Sequence, residues 1–119
     1  MTFEMIHGNR NVFDLEKSVR FYKEALGFEE ALRYHDPDGK FILVFMKGAN
    51  VPFQLELTWL VDRKEPYNLG DNEIHLAVKA DDYDAALKFH RDMGCVCLEP
   101  QGKYYFISDP DGYWIEILP

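Results

Sequence analysis

The stretch Glu73-Ile74-His75-Leu76-Ala77-Val78, followed closely by Asp81-Asp82-Tyr83-Asp84-Ala85-Ala86-Leu87-Lys88-Phe89-His90-Arg91-Asp92-Met93-Gly94, decides how this chain is read. Its first part alternates apolar and polar residues, the period of a half-buried strand, with His75 on the face opposite Ile74, Leu76 and Val78. Its second part reads as a helix with Ala86, Phe89 and Met93 on one face and Gly94 placed to close the last turn. The same outline occurs earlier in the chain. A strand around Glu4-Met5-Ile6-His7 leads into a helix from Asp14 to Gly27, capped by Asp14, with Leu15, Val19, Tyr22 and Leu26 at helical spacing. Gly27 lies 20 positions after His7, and Gly94 lies 19 after His75.

Each half then continues with three strands. After the first helix these are Phe28 to His35, Lys40 to Lys47 beyond the turn Asp36-Pro37-Asp38-Gly39, and Gln54 to Thr58 beyond the break Gly48-Ala49-Asn50. After the second they are Cys95 to Glu99, Lys103 to Ser108, and Tyr113 to Leu118 beyond the turn Asp109-Pro110-Asp111-Gly112. The last strand of each half carries a central glutamate, Glu56 and Glu116, 49 positions after His7 and 41 after His75. The reading is therefore an internal duplication. It predicts an α+β fold of two tandem βαβββ modules forming a curved mixed sheet around a metal-binding cavity. Residues 1–119 make one domain: module one is 1–60, a polar, aperiodic linker spans 61–72, and module two is 73–119.

Composition narrows the function classes. A chain of 119 residues, 47% apolar, supports one core. The net charge of −8 gives no electrostatic support to a nucleic-acid or anionic-membrane partner. No run approaches the ~20 apolar residues of a membrane span, and a signal-peptide pattern is absent, so a cytoplasmic protein is expected. Cys95 and Cys97, two apart on a predicted strand, read as reduced core residues.

The chemistry lies in His7, Glu56, His75 and Glu116. Leu55 and Leu57 point to one face of their strand and Gln54, Glu56 and Thr58 to the other; Glu116 likewise opposes Tyr113, Ile115 and Ile117. If the helices cover the apolar faces, all four residues share the concave face. Two imidazoles and two carboxylates are a ligand set for Zn, Ni, Co, Mn or Fe, and a divalent cation offsets the cost of burying unpaired carboxylates. Any one of the four alone would read as a satisfied core histidine or a solvated glutamate; four at equivalent points of a repeat weigh against coincidence. His35 and His90 have no such pattern and are expected at the surface. Phe41, Phe45, Trp59 and Trp114 are core aromatics or the lining of an apolar pocket.

Over nearly its whole length the chain resembles the vicinal-oxygen-chelate superfamily and, within it, the glyoxalase I (lactoylglutathione lyase) branch. The resemblance rests on His7, on Asp14-Leu15-Glu16-Lys17-Ser18 with Phe21-Tyr22 and Leu26-Gly27-Phe28, and on Glu56-Leu57-Thr58. It continues through Tyr67-Asn68-Leu69-Gly70 before His75-Leu76-Ala77-Val78 and through Asp109-Pro110-Asp111-Gly112-Tyr113-Trp114-Ile115-Glu116. It implies one divalent metal per site, Ni or Zn with Co possible, held by His7, Glu56, His75 and Glu116. It also implies a homodimer with metal sites at the interface. The implied reaction isomerises the hemithioacetal of methylglyoxal and a thiol to an S-lactoyl thioester, with Glu116 as base and Glu56 in a related ligand or proton-transfer role.

Three places depart from the family pattern. Asn11 stands where the family has an arginine, Leu60 stands where an asparagine is common, and the loop around Gln101-Gly102-Lys103 is short. These leave the thiol cosubstrate, glutathione or another, open. Two alternatives share the fold: another metalloenzyme of the superfamily (dioxygenase, epimerase or thiol transferase), and a metal-free, ligand-sequestering protein of the bleomycin-resistance type.

Overall fold

A computed structural model describes residues 1–119, which form two compact units, Met1–Tyr67 and Asn68–Pro119. In the first unit the elements run β1 (His7–Asn11), α1 (Leu15–Leu26), β2 (Glu29–His35), β3 (Phe41–Lys47) and β4 (Gln54–Leu60). In the second they run β5 (His75–Lys79), α2 (Tyr83–Met93), β6 (Val96–Gln101), β7 (Tyr104–Ser108) and β8 (Trp114–Leu118). Each unit is thus a βαβββ module with its own four-stranded sheet, ordered β1-β4-β3-β2 and β5-β8-β7-β6. In both, the first strand pairs parallel with the last, and the other pairings are antiparallel.

Both helices begin and end by the same devices. Asp14 accepts a hydrogen bond from the Lys17 amide and Asp82 one from the Ala85 amide, each satisfying a donor of the first turn. Gly27 and Gly94 close the helices at φ 65° and 73°, a left-handed conformation that a Cβ disfavours. In unit one, α1 lies on the sheet face built by Val44, Met46, Leu55 and Leu57, and buries Leu15, Val19, Tyr22 and Ala25. Arg10 on β1 is buried on that same side. In unit two the corresponding core is Tyr105, Ile107, Ile115 and Ile117. No helix is long and apolar enough to cross a membrane.

Several expectations need correction. The first strand begins at His7 instead of ending there; Phe3, Met5 and Ile6 precede it and are exposed. Ile74 and Tyr113 also lie outside their strands. The apolar stripe of α2 is not Ala86-Phe89-Met93: the helix buries Leu87 and His90, while Phe89 is 48% exposed. Phe89 sits two positions, about 200°, around the helix from Leu87, so the two cannot share a face. His90, expected at the surface, is 3% exposed because its Nδ1 meets the Tyr105 hydroxyl at 2.8 Å. Burial pushes the Tyr105 phenol above its usual range. Cys97 is exposed, and Cys95, half-buried, precedes β6, so the cysteines are not a core pair. His35, at the end of β2, is at the surface.

Arg33 of β2 ties the edge of unit one together. Its guanidinium bonds Glu30 at 2.6 Å and Glu16 of α1 at 2.5 Å, and the Arg33 hydrogen bond holds the Glu30 carboxyl below its usual range. A depressed carboxyl pKa adds stability that is complete above the unfolded value and is lost as pH falls through the folded one. Arg33→Met is therefore expected to cost about 1 kcal/mol at neutral pH, and urea unfolding at decreasing pH should show the difference from wild type shrinking through the acid carboxylate range. For α2, Leu87→Ala should cost about 2–5 kcal/mol and Phe89→Ala no more than ~0.5 kcal/mol, read from the same unfolding curves.

Candidate metal centre

Strand alternation divides unit one's sheet into two faces. Leu55, Leu57, Val44 and Met46 take the helix side, and Glu56, Thr58, Phe45 and Leu43 take the other. The parallel register of β1 on β4 sets Asn9 opposite Glu56 and Asn11 opposite Thr58. His7 therefore lies on the Glu56 face, two residues before the residue paired with Glu56. From there its Nε2 comes to 3.0 Å from Glu56 Oε2.

Unit two repeats this arrangement. The register of β5 on β8 sets Ala77 opposite Glu116, and His75, two residues earlier, brings its Nε2 to 3.1 Å from Glu116 Oε2. A phenylalanine on the next strand stands directly opposite each glutamate: Phe45 for Glu56 and Phe106 for Glu116. Each presents its ring edge-to-face to the histidine, at 5.5 Å and 74° for His7 and at 5.1 Å and 86° for His75. Trp114 packs on Phe106 at 5.2 Å. The carboxylates are the more sheltered members of the pairs, with side chains 14% and 20% exposed against 38% and 40% for the imidazoles.

The structure therefore brings the four sequence-selected residues together as two pairs, His7 with Glu56 and His75 with Glu116. Neither unit by itself gathers three or more His, Cys, Asp or Glu side chains. The donor chemistry of each pair suits a divalent ion. Its spacing does too: two donors at right angles around an ion at about 2.1 Å are about 3.0 Å apart. Without an ion, an Nε2–H donating to the carboxylate accounts for the same separation.

The surroundings of the two glutamates differ. Glu56 Oε1 lies 3.1 Å from the Thr58 hydroxyl, which is 2.6 Å from Asn9 Oδ1. Asn9 Nδ2 bonds Asn11 Oδ1 at 2.9 Å, and Asn11 Nδ2 reaches the Tyr67 hydroxyl at 3.5 Å. Arg63, anchored on the Glu65 and Pro66 carbonyls, lies over the Tyr67 ring at 4.2 Å. In unit two the register places Ala77, Lys79 and Leu118 where unit one has Asn9, Asn11 and Thr58. Within its unit, Glu116 hydrogen-bonds His75 alone.

Sequence reasoning misses Asn9 because it ends the first strand at His7; the two-residue spacing from His7 is the signal that could have found it. Of the aromatics, Phe41 and Phe45 share the Glu56 face, and Trp114 shares the Glu116 face. Trp59 does not. With Ile42, Phe13 and Leu15 it lines an open hollow of about 410 Å³ on the helix side. The segment around Lys103 is a two-residue hairpin turn between Gln101 and Tyr104, with Gly102 at φ 68°.

Comparison with known proteins agrees with this architecture. Residues 5–117 match the model of the Glyoxalase/Bleomycin resistance protein/Dioxygenase superfamily. A lactoylglutathione lyase of Neisseria meningitidis serogroup A is 33% identical over 96% of this chain and 88% of its own length. A probable lactoylglutathione lyase of a Synechocystis species is 31% identical over 96% of this chain and 93% of its own. Among solved structures, the trypanothione-dependent glyoxalase I of Leishmania major superposes with a TM-score of 0.87 at 30% identity, covering 98% of this chain and 86% of that one. The duplicated βαβββ modules, the matching His/Glu pairs and these full-length similarities identify the chain as a member of the glyoxalase/bleomycin resistance/dioxygenase superfamily.

Proposed function

We propose that this protein is a divalent-metal glyoxalase I, an enzyme of the lyase class. It isomerises the hemithioacetal of methylglyoxal and a thiol to the S-lactoyl thioester in the cytoplasm, its two units serving as one domain. The observation that carries the proposal is the repeated pair: a histidine Nε2 and a glutamate Oε2 at 3.0 Å in one unit and 3.1 Å in the other, at equivalent strand positions. The lyases from Neisseria and Synechocystis support the choice of reaction within the superfamily.

His7, Glu56, His75 and Glu116 are the ligands in this proposal, and in a homodimer His7 and Glu56 of one copy are completed by His75 and Glu116 of a second. Ni or Zn is the expected ion, with Co a working substitute, and when bound it supplies Lewis-acid stabilisation of charge developing on the two adjacent substrate oxygens. Glu116 is the base. Its carboxylate takes the proton from the carbon bearing sulfur and returns it to the neighbouring carbon, while a hydroxyl proton moves between the oxygens, so no atom is gained or lost. Phe106, Trp114 and Leu118 share the Glu116 face, and none of them offers the carboxylate a hydrogen bond that would hold it in place. Glu56 stays a ligand. Asn11, Leu60 and the tight turn at Gly102-Lys103 mark the places where a thiol other than glutathione would be accommodated.

The hemithioacetal assay, run with several thiols after reconstitution with Ni, Co and Zn, should show turnover with at least one combination; none at all overturns the proposal. Glu116→Gln should lower kcat by about 10²- to 10⁴-fold with its bound metal reduced in elemental analysis. The shared site has its own test. His7→Ala/Glu56→Gln and His75→Ala/Glu116→Gln proteins should each be inactive, and refolding them together should restore activity, since a mixed dimer keeps one intact set; sites contained within single chains would give none.

A further inference from the structure

We infer that Thr58 and Asn9 are positioning residues that brace Glu56 through a hydrogen-bond chain running from Tyr67 to the carboxylate. The inference rests on the metal-ligand reading of Glu56 given above and adds residues that touch neither ion nor substrate in it.

Donor counting carries the argument. Thr58 has one hydroxyl hydrogen and stands 2.6 Å from Asn9 Oδ1 and 3.1 Å from Glu56 Oε1, both acceptors, so it can serve only one of them. The oxygen and NH2 of an amide are close in size and shape, so the side chain fits its surroundings either way round and the hydrogen-bond partners choose between the two. Turning both Asn9 and Asn11 over leaves the linked atoms in nearly the same places and frees the Thr58 hydrogen for Glu56. The Tyr67 hydroxyl then donates to Asn11, the Asn11 NH2 to Asn9, and the Asn9 NH2 to Thr58. The Thr58 hydrogen is left for Glu56 Oε1. Every link gains one donor and one acceptor, and the chain ends on an ionised carboxylate, which only accepts.

The consequence is a division of labour. Glu56 is held at Oε1 by Thr58 with Oε2 directed at His7, so its rotamer is set before an ion arrives. Ala77 and Leu118 occupy the equivalent places beside Glu116 and can make no such brace. The repeat has thus kept the His/Glu pair in both units and the brace in one.

Thr58→Val keeps the shape of the side chain and removes its hydrogen bond. Calorimetric titration with cobalt should show its affinity about tenfold or more weaker than wild type, with an unchanged melting temperature for the metal-free protein. Thr58→Ser should restore wild-type affinity. Asn9→Leu should fall between, and Asn9→Leu/Thr58→Val should be no weaker than Thr58→Val alone, because the two act in one chain. In the thiol assay Thr58→Val should lower kcat with KM unchanged. Three results overturn the inference: Thr58→Val binding cobalt within twofold of wild type, Thr58→Ser binding as weakly as Thr58→Val, or wild type taking up no cobalt. Weakened cobalt binding by Thr58→Val in a protein that turns over no hemithioacetal leaves the brace standing and rejects the glyoxalase reading.

Discussion

The parallel pairing of a module's first strand with its last is the constraint on which the candidate centre depends. Ile115 and Ile117, or Leu55 and Leu57, can meet the helix only if the residues between them face the other way. That alternation presents Glu56 and Glu116, but it does not give them partners. Partners come from β1 on β4 and β5 on β8, whose registers set Asn9 and Ala77 opposite the glutamates and the histidines two residues before them. A slip of one residue in either pairing would turn the histidine toward the helix and dissolve the pair.

Around that geometry the protein builds a partly sheltered polar patch on each sheet. Phe45 and Phe106, opposite the two glutamates, orient the imidazoles edge-on and keep the carboxylates less exposed than the histidines. A carboxylate partly withdrawn from water, beside an imidazole, gains from a cation more than a fully solvated one does. The pairs are alike while their surroundings have diverged: Thr58, Asn9 and Asn11 stand beside Glu56, and Leu118, Ala77 and Lys79 hold the equivalent places beside Glu116. Environment and not residue type sets what a carboxylate can do, so two chemically identical glutamates need not do the same work.

Elsewhere each module relies on local devices that work independently of the centre. Asp14 and Gly27 delimit α1, Asp82 and Gly94 delimit α2, and Arg33 links β2 to α1 through Glu30 and Glu16. Asp109 organises the turn before β8 by accepting from the Asp111 and Tyr113 amides, and Asn72 bonds the Gly112 carbonyl. These contacts fix where β8 begins, and so where Glu116 stands.

The residues alone made legible the duplicated βαβββ order, the helix ends Asp14, Gly27 and Gly94, the face on which Glu56 and Glu116 lie and the four residues worth testing as ligands. All of these are local, set by period, capping chemistry and turn residues acting within a few positions. Sequence reasoning misplaces the start of β1 because Met5 and Ile6 are apolar enough to pass for strand, yet they remain exposed. It misjudges α2 because Phe89 is the larger apolar residue, whereas packing selected Leu87 and a histidine that Tyr105 satisfies. The strand register emerges in the folded chain, and with it the pairing of His7 with Glu56 and His75 with Glu116, the aromatic beside each, and the presence of Asn9 and Thr58 beside Glu56 alone. Those depend on which segments distant in the chain lie side by side, and the hydrogen bonds that choose a register connect backbones whose alignment no local pattern encodes.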